Sequence, residues 1–302
     1  MRYALAMRDE LWAGGMCLES RFECGGARAD GDEIDARDEI DPLLASICER
    51  EIEGAREAAA LAPGARVRIV ARAEREEGRE RVSSTITITD AAGVSIVTTR
   101  ENAGGDLQRL RAALARPVEL SAPPKLPMVW RNGSAAILFH EAAGHPAEHR
   151  CTPLVWPSWL RVEDVAEEGR ADLLAGELPR AVRRESFRDV PMPRMTSLVV
   201  SQDGAPFTLP DERVEIAYVT DGSFDPFRGI VTVRVAVAEE IAAGRVRRIA
   251  PFAIRIVRAR VAESLLGAAG APERYPGVVC SSEGQQLIVG SHAPVVVTAT
   301  LT

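Results

Sequence analysis

The ten residues Ala136-Ile137-Leu138-Phe139-His140-Glu141-Ala142-Ala143-Gly144-His145 set the tightest limit on how this chain can fold. An apolar run leads into a His-Glu pair, and a second histidine follows five positions after the first. Three of the chain's four histidines fall between His140 and His149. A His-Glu pair and a second His on one short helix commonly set a zinc ion beside a general base. The widespread spacing is His-Glu-x-x-His, with both imidazoles on one helical face; here it is one residue longer. Positions five apart on an ideal α-helix are separated by about 140° around the axis, so a straight helix does not point both rings at one ion. Gly144 and Pro146 supply the expected remedy. Gly144 takes the left-handed conformation that ends helices, and Pro146 keeps His145 out of the α region. The reading is a helix that carries His140 and Glu141, unwinds at Gly144 and lets His145 swing back. The alternative is a buried helix with polar residues at its end. It would bury two histidines and a glutamate without partners, at a cost.

At 302 residues the chain has room for one large core or two modest ones. Its formal net charge of −7 argues against nonspecific nucleic-acid binding, which needs a basic face. No apolar stretch approaches membrane-spanning length, and the first ten residues carry charges where a secretion signal needs an apolar core. Five cysteines (Cys17, Cys24, Cys48, Cys151 and Cys280) form an odd set without tight spacing, which reads as free thiols in the cytoplasm.

Alternation and breakers organise the rest. Strands are expected at 3–7, 17–24, 66–73, 82–89 and 94–98, with helices over 42–61 and 107–114 and an acidic, turn-rich segment at 27–42. Pro117, Pro123, Pro124 and Pro127 mark a connector. Beyond it, the charged segment 161–185 reads as partly helical. Strands follow at 197–200, 213–219, 230–238, 245–256, 286–289 and 295–301, with a helix over 257–266. The expected fold class is α+β. An N-terminal α/β region (1–118) precedes a β-rich, mainly antiparallel C-terminal domain (119–302) that carries a short metal-site helix.

Catalytic zinc usually has three protein ligands and an open position. Beyond His140 and His145, the candidates for a third are Cys280, Cys151, His149, His292 and Glu148. A His145/His149/Cys151 cluster is one arrangement. An isolated cysteine after two valines, as at Cys280, is by itself more often a small buried hydrophobe.

Three segments, in order, resemble the TldD/PmbA metalloproteases, also called modulators of DNA gyrase. The first is Phe139-His140-Glu141-Ala142-Ala143-Gly144-His145-x-x-Glu148. The second is Pro191-Met192-Pro193-Arg194-Met195-Thr196-Ser197. The third is Cys280-x-x-x-Gly284-Gln285, followed by Val289-Gly290. Together they span roughly residues 120 to 302. The resemblance implies His140, His145 and Cys280 as zinc ligands and Glu141 as the general base. It implies hydrolysis of unfolded or small peptides by a homodimer, or by a heterodimer with a related subunit. The family also contains subunits that have lost the motif, so a non-catalytic peptide-binding partner is the alternative. Ser281-Ser282 and Ser197 depart from the family pattern, the region between His149 and Arg183 is contracted, and residues 1 to 115 match only loosely. Arg194 is a candidate for gripping a substrate carboxylate or carbonyl, with a structural ion pair as its other reading. The extended stretch Met195 to Val200 is a candidate for pairing with a peptide backbone by strand addition.

Overall fold

The structure, a computed structural model, describes residues 3–27, 33–34, 42–60, 64–76, 79–89, 94–100, 102–165, 172–176, 182–183, 189–275, 278–282 and 284–301. Most of the acidic segment 27–42 and much of the charged segment 161–185 lie outside them. The fold is α+β with mainly antiparallel sheets, as expected. Two compact units form: Met1–Arg109 with Arg184–Val190 and Ser281–Leu287, and Leu110–Arg183 with Pro191–Cys280 and Ile288–Thr302.

The first unit is built on six antiparallel strands: β1 (Tyr3–Ala13), β2 (Met16–Ala27), β3 (Glu33–Ile34), β4 (Arg66–Glu76), β5 (Arg79–Thr89) and β6 (Ser95–Thr98), in the order β3-β2-β1-β4-β5-β6. Gly14 and Gly15 close the β1–β2 hairpin with φ of 57° and 79°, the positive values that a two-residue turn demands. Alternation defines the inner face, where Val67, Ile69, Ala71, Ala73, Ile86 and Ile88 are buried. Helix α1 (Pro42–Ala59) packs on β4 and β5 and buries Cys48, Ile52 and Ala55, one stripe at helical spacing. Helix α2 (Ala103–Leu114) follows β6, and its buried Asp106 accepts a hydrogen bond from Thr98 Oγ1 at 2.5 Å.

One buried charge ties α1 to the sheet. Glu10, 2% exposed, accepts from Arg56 Nε at 2.8 Å, Trp12 Nε1 at 3.0 Å and Arg8 Nε at 3.2 Å. The Arg56 hydrogen bond leads in holding its carboxyl down at about 2, against the cost of burial. A depressed folded pKa means that this stabilisation is complete above the unfolded value of 4.5 and disappears as pH falls through about 2. Glu10→Gln is therefore expected to cost about 2 kcal/mol in urea unfolding at pH 7, less than a fully enclosed pair because Arg56 is partly exposed. The variant should also lose stability less steeply below pH 4.5. Parallel stability–pH curves for both proteins would show that the pair contributes nothing.

The second unit centres on an eleven-stranded sheet. Its strands are β7 (Val118–Leu120), β8 (Met128–Trp130), β9 (Leu160–Asp164), β12 (Ser197–Gln202), β13 (Arg213–Asp225), β14 (Ile230–Ala242), β15 (Arg245–Ile249), β16 (Phe252–Val257), β17 (Leu265–Arg274), β18 (Val278–Ser282) and β19 (Gln285–Thr298). The path runs β7-β15-β14-β13-β8-β19-β12-β9, with β16 on β14 and β17 and β18 on β19; β10 (Val182–Arg183) and β11 (Met192–Pro193) pair separately. Helix α5 (Arg258–Ser264) leads into β17. The segment read as partly helical opens as strand β9, and the described residues of 161–185 contain no helix. Strand β12 is flanked by β9 and β19, so its ladder positions are already taken and it does not offer a free edge to a peptide.

After β8, Asn132 (φ 54°) and Gly133 (φ 71°) reverse the chain, while Arg131 N and Ser134 Oγ both donate to Ile216 O. This turn aims α3 (Ala135–Phe139) into the core, where all five of its residues are buried. The helix does not unwind at Gly144. It widens into a π-helical segment over His140–Gly144 and continues as α4 (His145–Glu148). Gly144 (φ −66°, ψ −64°) and His145 (φ −56°, ψ −41°) are both right-handed. In an α-helix the ring of Pro146 would strike the Ala142 carbonyl four residues back. Widening the turn relieves that clash, and His145 N–H donates to His140 O in the i→i+5 bond of a π-turn.

Candidate metal centre

The widened turn performs what the unwound helix was expected to do. With one more residue per turn, His140 and His145 come to the same face, their ring centroids 4.9 Å apart. Cys280, on β18 and 2% exposed, completes the group. One ligand atom from each of His140, His145 and Cys280 lies within 4.8 Å of the others. Cys280 Sγ stands 3.5 Å from His145 Nε2. A nitrogen and a sulfur bound tetrahedrally to one zinc ion are about 3.6 Å apart. Among the described residues, no fourth donor joins them. His149 instead faces the Phe224 ring at 6.5 Å, Cys151 N is bonded to Pro146 O, and His292 sits in ladder register with Val199 and Arg274.

Polar atoms around the group test whether an ion fits it. His140 is 1% exposed, and neither ring nitrogen has a hydrogen-bond partner. An orphaned buried polar group costs about 1–3 kcal/mol. Burial leads in pushing the His140 pKa well below the ordinary value, with His145 and Arg194 adding to it, so the imidazole is neutral and its lone pair free for a metal. His145 is opposite. Burial works against its charge, but the hydrogen bonds to Cys280 and Glu148, aided by the Glu141 and Cys280 charges, outweigh burial and push it up to about 11. The causes of that rise are the sulfur and acidic groups gathered around the ring, Cys280, Glu148 and Glu141. The donor set, two imidazole nitrogens and a cysteine sulfur, suits zinc.

Glu148 is part of the centre without being one of its three donors. Its Oε2 lies 2.8 Å from His145 Nδ1, which leaves Nε2 as the nitrogen that faces Cys280. A carboxylate on the far nitrogen fixes the tautomer and ring orientation of a ligating histidine. Glu148 Oε1 accepts from Met195 N at 3.1 Å and lies 3.4 Å from Arg194 Nε. Arg194 is 1% exposed, and its Nη2 donates to Cys280 O at 2.6 Å. Its guanidinium is thus turned inward, bracing the backbone of one ligand and the orienting carboxylate of another. Buried Asp164 fixes the segment that carries Arg194, accepting from Thr196 N at 2.8 Å and Ser197 N at 2.9 Å.

Glu141 follows His140 into the same buried region. It is 2% exposed, and Oε2 has no hydrogen-bond partner, with His145 Nε2 3.8 Å away. Burial leads in raising its pKa to about 7; His145 opposes, and the Glu148 and Asp221 charges reinforce. Its side chain rests on Gly222 of β13, where a Cβ would stand 2.6 Å from Cγ and Oε1. β13 reaches that point through a run of register shifts between Ile216 and Asp221. Tyr275 pins them, its hydroxyl accepting from Val219 N at 2.8 Å and donating to Val219 O at 2.6 Å. Gly222 and Tyr275 carried no signal in the sequence, because their roles arise only when strands distant in sequence are brought together.

Comparison with known proteins fits this architecture. No protein-family model matches the sequence, and no curated protein matches it. Several solved structures match nearly the whole chain. TldE from Thermococcus kodakarensis superposes with a TM-score of 0.56 at 13% identity, covering 99% of this chain and 95% of that one. A Thermotoga maritima protein assigned by name as a modulator of a DNA gyrase also gives 0.56, at 9% identity, covering 99% and 94%. The fold expected from the three sequence segments, that of the TldD/PmbA structures, is the fold this chain has.

The composition of the centre predicts its metal content. The purified protein should hold about one zinc per chain, and Cys280→Ser should lose most of it. Cys151→Ser should keep it. Elemental analysis of all three proteins checks the ligand set, and zinc retained without Cys280 would reject it.

Proposed function

We propose that the protein is a zinc-dependent peptidase that hydrolyses unfolded or small peptides, with Glu141 as its general base. One observation carries this reading: among the described residues three donors gather without a fourth, and beside them Glu141 Oε2, which makes no hydrogen bond, lies 3.8 Å from His145 Nε2. A structural zinc site ordinarily closes with four protein ligands and has no use for a free carboxylate beside them. Zinc held by His140, His145 and Cys280 would act as a Lewis acid and bring the pKa of water toward about 7.

The chain's own groups do the remaining work. In this reading Glu141 Oε2 takes a proton from the attacking water and returns it to the leaving amine. Gly222 keeps Glu141 in place, and the Glu148–His145 contact holds Nε2 toward the metal position. Arg194 serves this centre from behind, through Glu148 and the Cys280 carbonyl, rather than by gripping substrate. Unfolded or short peptides are the substrates that the three-segment resemblance implies, and a homodimer or a pairing with a related subunit is the expected assembly. A thiolate ligand also fits a reducing compartment such as the cytoplasm.

Glu141→Gln separates this reading from a peptide-binding partner that has kept the ligands. The variant should keep its zinc and lose about 10²–10⁴-fold in the rate of cleavage of an unstructured peptide library, followed by mass spectrometry. Cleavage at the native rate would remove Glu141 as the base. Gly222→Ala should also keep its zinc and cut kcat on the order of 10²-fold by displacing the base. A change in zinc content there would show that Gly222 acts on the ligands instead.

A further inference from the structure

Relieving the Pro146 clash leaves a second consequence of that proline. Pro146 has no N–H, so the Ala142 carbonyl four residues earlier lacks the donor an α-helix would give it. That carbonyl lies between Glu141 and His145, inside the π-helical segment. It accepts instead from a side chain that begins α5, Arg258 Nε at 2.7 Å. The same guanidinium donates through Nη1 to Thr152 O at 2.9 Å, just beyond the end of α4. Arg258 is itself fixed by its backbone, its N–H donating to Gly229 O at 2.8 Å in the turn of the β13–β14 hairpin. That hairpin carries Gly222, against which Glu141 rests. One arginine thus joins the metal-site helix, the chain that leaves it and the hairpin that seats the base.

We propose that Arg258 is a positioning residue for the metal centre, supplying the hydrogen bond that Pro146 cannot and holding the π-turn at the width that aligns His140 with His145. A rigid, planar guanidinium suits this task, since its Nε–H and Nη1–H point at two different carbonyls in fixed directions. Lysine reaches only one carbonyl well. Methionine retains the stem and donates to neither.

Two measurements on the full chain test this. The first needs no metal: amide hydrogen exchange across residues 140–149 in the metal-free protein. Arg258→Met should exchange on the order of tenfold faster there than the native protein, as loss of local hydrogen bonds implies, with Arg258→Lys between them. Arg260→Met, on an exposed position of the same helix, should match the native protein. The second measures zinc by competition with a chromophoric chelator and reads the absorption spectrum after cobalt substitution. This arm rests on the zinc reading above. Arg258→Met should bind zinc about 10–100-fold more weakly and shift the cobalt bands, with partial recovery in Arg258→Lys. Native exchange, or native affinity with a native cobalt spectrum, in Arg258→Met overturns the proposal. If Arg258→Met does not fold, Arg258→Lys decides by the same criteria. If the native protein takes up neither metal, the metal-centre reading fails and the exchange experiment alone decides the role of Arg258.

Discussion

One proline inside a helix governs this centre. Pro146 forbids an ordinary α-turn, because its ring would meet the Ala142 carbonyl and it offers no N–H in return. The chain widens the turn rather than breaking it, and that widening gives two histidines five residues apart a common face. The freed carbonyl is the cost of this solution, and Arg258 meets it from outside the helix. Gly144 serves differently from a helix terminator: it leaves room for Met195, whose Sδ would stand 1.8 Å from a Cβ at that position. The segment Arg194-Met195 therefore packs directly behind the histidines it helps to orient.

Elements built on alternation or helical spacing were legible in the sequence. The run Thr85 to Thr89 is within β5, and the stripe of Ile52 and Ala55 defines α1. The misreadings have local causes. β17 begins Leu265-Leu266-Gly267-Ala268-Ala269-Gly270-Ala271-Pro272, small residues and breakers with little strand propensity of their own. Its pairing with β19 overrides that propensity, and Gly267 is required because Pro206 O lies where its Cβ would be. β19 reads as two strands because Pro294 interrupts it, yet the β17–β19 register shift falls at that point and absorbs the proline. The reverse happens at Pro251, which splits an apparently continuous strand into β15 and β16.

The centre was legible in proportion to how local its parts are. His140, Glu141 and His145 share one helix and can be read as a motif. Cys280 lies well over a hundred residues away, and by itself it resembles any small buried hydrophobe; only the ordered resemblance singled it out. Glu148 was legible as a candidate third ligand but not as the partner of His145 Nδ1, because that depends on the ring rotation which the widened turn sets. Arg194 offered two readings, and its burial favours the inward one.

Charge explains why these parts depend on one another. The centre gathers Glu141, Glu148 and the Cys280 sulfur around His145, with Arg194 as the cation behind them. Glu148 is largely committed to Arg194 and to the far side of His145, so its charge is answered within the protein. Glu141 Oε2 and the Cys280 sulfur instead share one neighbour, His145 Nε2, at 3.8 Å and 3.5 Å, the face that a divalent ion would take. The orphaned nitrogens of His140 point to the same conclusion from the side of hydrogen bonding. An apolar replacement of the group would remove these costs altogether. Under the proposed reading these costs are offset by a bound ion, and coordination by the three donors would leave Glu141 Oε2 as the group available for chemistry.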